Sequence, residues 1–284
     1  MNDAILEGLA SFDFPLKEIW ISAARFHFQN LEPEISQLSA GSRVLEIGCG
    51  AGLLLTMLRQ TNPKIFMEGI EPLAGGFEAT ADMLRYFQSL GTLIGHQPYE
   101  SFEPSERYDL VYLVNVMEHL PDWRHFLNTV PRFLKPDGRC LVLCPNYDFP
   151  FEPHFNRPVI GSKSTMARLF RRRIAWVEDT YGVHGLWDSL NFVRLSEIKR
   201  QLADTPLSLK VRHDVSDRMI ARFDTDDVYR NHLAFIGAFG KILKGLRVTK
   251  LLRLKRLENL QPYIFLEFRY RPASENLAAK EALP

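Results

Sequence analysis

The stretch VLEIGCGAG, residues 44–52, constrains the fold more than any other part of the chain. Val44, Leu45 and Ile47 form a short apolar run that ends in alternating glycines, Gly48, Gly50 and Gly52. A brief apolar run bounded by turn residues suits a strand buried in a parallel sheet. Glycine after such a strand permits a tight turn and leaves no Cβ between the backbone and a ligand. GLLLTMLRQ then reads as a helix, whose first turn presents free N–H groups. In a dinucleotide site those donors meet a pyrophosphate. The G-x-G-x-x-G pattern of that site fails here in both registers, because Leu53 or Leu55 stands where the third glycine is needed.

The same logic extends down the chain. KIFMEGIEP reads as a second strand, GGFEATADMLRYFQSL as a helix, GTLIG as a third strand and YDLVYLVNV as a fourth. DWRHFLNTVPRFL is a helix opened by Asp122 as N-cap, KPDGR a turn and CLVLCPN a fifth strand. LSEIKRQLA is a further helix with Ser196 as its expected N-cap, LSLKVRH a sixth strand and PYIFLEFRY the last. Strands alternating with helices predict a doubly wound parallel α/β sheet, with ligands at the carboxyl ends of the strands where the strand order reverses. The expected organisation is a helical segment over 1–40, a core over 41–146, an insertion over 147–190 and completion of the sheet over 191–284. The first insertion is rich in proline, aromatics and arginine, with one or two short helices. A second, mostly helical insertion is expected at about 214–261.

Composition narrows the partners. Apolar residues make up 46% and charged residues 24%, ordinary for a soluble globular protein. A formal net charge of +1 argues against nucleic acid as a partner, because phosphate binding calls for strong basicity or a basic stripe. Three cysteines, Cys49, Cys140 and Cys144, are too few for a disulfide framework and read as small core residues. No run approaches the roughly 18 apolar residues of a membrane span. The N-terminus carries acids among its apolar residues and no basic start, so no signal peptide is expected and the expected location is cytoplasmic. Residues 241–256, KILKGLRVTKLLRLKR, hold seven basic residues and no acid. Six of them, Lys241, Lys244, Arg247, Lys250, Arg253 and Arg256, repeat every three residues, a spacing that drifts by about 60° per step around a helix, so they encircle it instead of forming one face. A broken helix, part packed and part solvated, is expected there. The alternative is peripheral contact with an anionic lipid surface or a phosphorylated acceptor, to which Arg171, Arg172 and Arg173 could add.

Three motifs in register carry a resemblance. Glu46 to Gly52, E-x-G-x-G-x-G, resembles motif I of class I methyltransferases. NVMEHLPDW resembles the N-V-x-E-H stretch of small-molecule methyltransferases of the ubiquinone-biosynthesis type. VPRFLKPDGRCLVLCPN resembles the helix, L-K-P-x-G turn and fifth strand of that group. Together they cover roughly residues 40–146. The resemblance implies a Rossmann-like, seven-stranded, mostly parallel sheet with an antiparallel last strand, and S-adenosyl-L-methionine as cofactor. It places Glu46, Gly48, Cys49, Gly50 and Gly52 about the amino-acid end of the cofactor. Glu71, nineteen residues after Gly52, falls with Pro72 where the ribose is held. A carboxylate there can accept hydrogen bonds from two vicinal hydroxyls. His96 or Gln97 takes the adenine-facing place, where the family usually has an aspartate, and Asn115 approaches the cofactor.

The expected reaction is methyl transfer to a small-molecule acceptor, at oxygen. Action on a macromolecule (protein or RNA), or a non-catalytic module keeping the fold, are the alternatives. His119 is the candidate base, since imidazole titrates near neutrality. His154, His184, Tyr147 and Tyr181 of the first insertion are further candidates, and Glu118 is expected to act structurally or electrostatically. Some relatives bind a divalent metal through E-x-x-E-H at this place. Here Asn115 replaces the first acid, and losing a carboxylate weakens a hard-cation site, so no metal is expected.

Overall fold

The computed structural model describes residues 5, 9, 12, 16–74, 80–232, 254 and 257–271. Seven strands form one sheet in the order β3-β2-β1-β4-β5-β9-β8. They are β1 (Arg43–Ile47), β2 (Phe66–Ile70), β3 (Leu93–Gly95), β4 (Tyr108–Val114), β5 (Leu134–Pro145), β8 (Leu207–Arg212) and β9 (Tyr263–Tyr270). The pairs from β3 through β5 are parallel, while β9 runs antiparallel to both β5 and β8. The antiparallel last strand agrees with the expectation drawn from the motifs.

The central strands are apolar on both faces because both are covered. Val44, Leu110, Tyr112, Leu141 and Leu143 pack to one side, with Leu55 and Leu58 of helix α2 (Leu53–Thr61). Leu45, Ile47, Val111, Leu113, Cys140, Val142 and Cys144 pack to the other, with Phe126 and Leu127 of α4 (Trp123–Thr129). This is the strand period of two expressed on a sheet with no solvated face. Cys140 and Cys144 are therefore buried free thiols, as read from the sequence. Helix α1 (Lys17–Ile35) packs beside α2, and α3 (Ala81–Ser89) lies between β2 and β3 in the chain.

Several local expectations change. Asp122 caps α4 as expected, its carboxylate accepting the Arg124 and His125 N–H groups. Ser196 does not cap its helix: α8 (Leu195–Gln201) starts after Arg194, and the amide and hydroxyl of Ser196 both donate to Asp148. The KPDGR turn is a bulge within β5, where pairing jumps from Tyr108–Leu134 to Leu110–Arg139. The first insertion is more ordered than expected. A hairpin of β6 (Phe151–Glu152) and β7 (Arg157–Pro158) precedes α5 (Lys163–Leu169), α6 (Arg171–Tyr181) and α7 (Leu186–Ser189). These share an apolar cluster of Phe155, Met166, Ile174, Val177, Leu186, Trp187 and Leu190. After β8 come α9 (Asp214–Thr225) and α10 (Asp227–His232). The basic segment 241–256 lies outside the described residues apart from Leu254. Among the described residues, no helix is long and apolar enough to cross a membrane.

Candidate functional site

β1 has β2 on one side and β4 on the other, so the strand order reverses between β1 and β4. The glycine turn leaves β1 at this switch point. Gly48 and Cys49 donate their amides to the Ile70 carbonyl at 2.8 and 3.2 Å, tying the turn to the end of β2. Gly50 donates its amide to Glu71 Oε2 at 2.8 Å, and Leu73 donates to Glu71 Oε1 at 2.8 Å. The acid that ends β2 therefore closes the turn that ends β1.

The three glycines differ in what requires them. A Cβ on Gly48 would lie 2.4 Å from Val116 Cγ2, and one on Gly52 2.5 Å from Ile94 Cδ1. At Gly48 the branched Val116 side chain must move as a whole, at Gly52 only the tip of Ile94, and both glycines also hold positive φ, +71° and +87°, which disfavours any side chain. Gly50, at φ +53°, faces a space bounded by the Trp20 ring, 3.6 Å from where its Cβ would sit. Trp20 comes from α1 and nothing in its local sequence marks it out. The Cys49 side chain packs against Gly69 of β2, so only its backbone faces the turn.

Two carboxyl groups back this cradle. Glu46 is buried, and burial pushes its carboxyl up to about 8; the Tyr112 hydroxyl, donating at 2.9 Å, opposes the rise and the charge of Glu71 adds to it. Burial also raises Glu71, against the two amides that it accepts. Glu46 therefore favours a proton until a positive charge arrives to offset the desolvation, while Glu71 is only shifted in that direction. Glycine amides and two such acids suit a ligand that combines hydroxyls with a cationic centre.

The remaining cofactor candidates are placed unevenly. Pro72 is exposed beside Glu71. His96 is exposed, with Nε2 3.4 Å from Gln88 Nε2, and it is near enough for its charge to act on Glu71. Gln97 is half-buried against Gly95. Asn115 adopts φ +52° at the end of β4, and its side chain is engaged within the protein: Oδ1 accepts from the Tyr263 hydroxyl at 2.7 Å and Nδ2 lies 3.3 Å from His27 Nε2. Burial, with the charge of Arg222 adding to it, pulls His27 down to about 3, so it is a neutral acceptor for that amide.

A second cluster lies just past β4. Glu118 and His119 sit on a 3₁₀ turn (Met117–His119), which Asn191 pins by donating its side-chain amide to the Met117 and Leu120 carbonyls. His154 arrives from the β6–β7 hairpin, its ring edge-on to His119 with centroids 5.1 Å apart. Nδ1 of His119 is 2.8 Å from Ser189 Oγ, and Nδ1 of His154 is 2.6 Å from Glu152 Oε1. Burial, reinforced by His154 and Lys163, holds His119 well below the usual histidine range. Burial works against a charge on His154 too, but Glu152 and Glu118 outweigh it and raise that imidazole. The Tyr147 hydroxyl reaches Glu152 Oε1 at 3.3 Å, so Tyr147 joins the cluster. His184 and Tyr181 do not: His184 is exposed and faces Asp179 at 3.8 Å, and Tyr181 stacks edge-on against Trp176. One ligand atom each from Glu118, His119 and His154 fall within 4.8 Å of one another, a group able to hold a metal ion.

A glycine turn backed by a strand-end acid, on a seven-stranded sheet with an antiparallel last strand, defines a class I methyltransferase. The family model described as "Methyltransferase domain" matches residues 23–208, and the chain belongs to that family of S-adenosylmethionine-dependent methyltransferases. Among its relatives is an uncharacterised protein of Mycobacterium tuberculosis strain H37Rv, 33% identical over 217 residues, or 74% of this chain and 73% of the relative. A ubiquinone biosynthesis O-methyltransferase of Rhodopseudomonas palustris strain BisA53 is 29% identical over 172 residues, 60% of each chain. Similar solved structures include the O-methyltransferase of a polyketide synthase multienzyme from Brevibacillus brevis with S-adenosyl-L-homocysteine. Its TM-score is 0.49 at 15% identity, covering 86% of this chain and 72% of that one.

Proposed function

We propose that the protein moves a methyl group from S-adenosylmethionine to a hydroxyl of a small-molecule acceptor, with the donor held on the glycine turn. The observation that carries the reading is the Glu71 carboxylate on the Gly50 amide. In this reading Glu71 turns from those amides toward ribose hydroxyls. Glu46 gives up its proton as the cationic amino-acid end of the donor settles beside Gly48, Cys49, Gly50 and Gly52. Pro72, with His96 or Gln97, borders the nucleoside end, and Asn115 forms the floor next to β4. The bound donor supplies an activated methyl on a sulfonium. The chain aligns the acceptor and excludes water, and alignment alone can be worth several kcal/mol. His119, kept neutral, is the group that receives the acceptor proton. The name of the Rhodopseudomonas relative supports oxygen as the acceptor atom.

A macromolecular acceptor is the second reading. Arg157, Arg168, Arg171, Arg172 and Arg173 line a cleft of about 610 Å³ together with Trp176. Acidic surfaces fit such a cleft, and binding through it would weaken steeply with salt.

The test incubates the protein with donor labelled on the methyl group and a panel of phenols, catechols, amines and protein extract. Label in a hydroxyl-bearing small molecule, lost by about 10²–10⁴-fold in His119→Gln with unchanged donor affinity, is the expected outcome. Label that enters protein alone contradicts the reading.

A further inference from the structure

Two carboxylates in the second cluster are equally buried and unequally satisfied. Glu152 is 0% exposed and accepts four times: Oε1 from the His154 amide, His154 Nδ1 and the Tyr147 hydroxyl, and Oε2 from the Phe155 amide at 2.6 Å. Glu118 is also 0% exposed, and neither of its oxygens has a hydrogen-bond partner. A buried carboxylate left so costs free energy that a fold normally recovers through a partner.

What faces Glu118 is a pair of oriented imidazoles. His119 Nε2 is 3.9 Å from Glu118 Oε1, and the Nδ1 atoms of His119 and His154 are turned to Ser189 and Glu152. A carboxylate on Nδ1 of a histidine is the arrangement that fixes the ring and makes Nε2 the nitrogen that an ion would take. Three ligand atoms bonded to one ion at roughly 2.1 Å lie about 3.4 Å apart in a tetrahedron. The 4.8 Å spread found here is within side-chain rotation of that.

We infer that Glu118, His119 and His154 form a binding site for one divalent transition-metal ion of the zinc type, with its remaining coordination positions open toward the acceptor side. The ligand set is not E-x-x-E-H. The amide of Asn115, which stands at the first position of that pattern, is engaged with Tyr263 and His27. The third ligand comes instead from the insertion. Two imidazoles and one carboxylate favour zinc, iron or cobalt over magnesium, which prefers all-oxygen shells. The proposed site departs from the expectation of no metal, which weighed position 115 and not the hairpin that carries His154. The Lys163 ammonium nearby is tied to the Asp188 and Leu190 carbonyls, and the charges of Glu118 and Glu152 outnumber it. Such an ion would take His119 Nε2, the nitrogen that otherwise accepts the acceptor proton, so in the metal-loaded chain His119 acts as a ligand and the ion polarises the acceptor oxygen in place of a base. Its nearness to the acceptor rests on the function proposed above, whereas its binding does not.

The full chain, stripped with a chelator, is titrated with Zn²⁺, Co²⁺ and Mg²⁺, and S-adenosylhomocysteine binding is measured on every sample to show that the fold and donor site are intact. One Zn²⁺ per chain is expected, with a Co²⁺ visible spectrum from a low-coordinate nitrogen–oxygen site. His154→Ala and Glu118→Gln should each weaken Zn²⁺ by at least about 100-fold while the product still binds. Failure of the wild-type chain to take up Zn²⁺ stoichiometrically, wild-type affinity in His154→Ala, or equal competition by Mg²⁺ would each overturn the inference. Loss of product binding in the wild-type chain would instead count against the donor site.

Discussion

Glu71 accepts the amide hydrogen of Gly50 at 2.8 Å, so the carboxylate ending β2 closes the turn ending β1. The same carboxylate accepts the Leu73 amide, and burial raises its affinity for a proton. A group held between two amides is preset in position yet poorly solvated, which favours exchange of those partners for ligand hydroxyls.

Glu71→Ala should therefore weaken S-adenosylhomocysteine by more than tenfold. Each hydrogen bond to a charged partner is worth about 1.5–3 kcal/mol, and two would be lost on the ribose. Calorimetric titration of the variant reads this directly. Affinity within twofold of wild type would remove Glu71 from the site.

Gly48 and Gly50 should fail in different ways. Gly48→Ala drives a Cβ to 2.4 Å from Val116 Cγ2, an overpacking cost of about 1–3 kcal/mol. Its thermal midpoint should drop by several degrees. Gly50→Ala meets no atom closer than 3.6 Å and carries only the strain of a left-handed residue, about 1–2 kcal/mol. A bulkier residue, as in Gly50→Leu, should leave the fold in place by circular dichroism and abolish product binding. Undiminished binding in Gly50→Leu contradicts the placement of the donor.

The pH dependence of stability should carry the signature of Glu46. Its carboxyl titrates near 4.5 when unfolded and is pushed up to about 8 in the fold. The folded chain thus holds a proton that the unfolded chain releases, and stability falls as pH rises from 4.5 through 8. Glu46→Gln keeps an acceptor for Tyr112 and removes that penalty. Thermal melts should show the variant more stable than wild type at pH 8 and equal to it below pH 4.5. Parallel curves for the two proteins would show that Glu46 does not titrate in this way. Binding of the cationic donor should also release a proton, seen as a binding heat that changes with the ionisation enthalpy of the buffer.

The parallel core was legible because its signals are local. β1, β4 and β5 are apolar runs between turn residues, and the glycine turn and Glu71 follow at fixed spacing. Asp122 was legible as a cap for the same reason: its carboxylate acts two and three residues away. Ser196 misled because its partner, Asp148, lies 48 residues back. The surroundings of Asn115 were hidden for the same cause. His27, Asn115 and Tyr263 come from α1, the end of β4 and β9, and only the closed sheet brings them together. Trp20 over Gly50, and the approach of His154 to Glu118, depend likewise on packing between distant segments. His184 resembled His154 in sequence, as a histidine in the same insertion, but it sits on the outer side with Asp179.

The most direct measurement is a calorimetric titration of the purified chain with S-adenosylhomocysteine, S-adenosylmethionine and NAD. The account predicts saturable binding of the first two at one molecule per chain and no heat from NAD, because Leu53 and Leu55 deny the pyrophosphate its turn. NAD binding in their place, or no heat from any of the three, would contradict it.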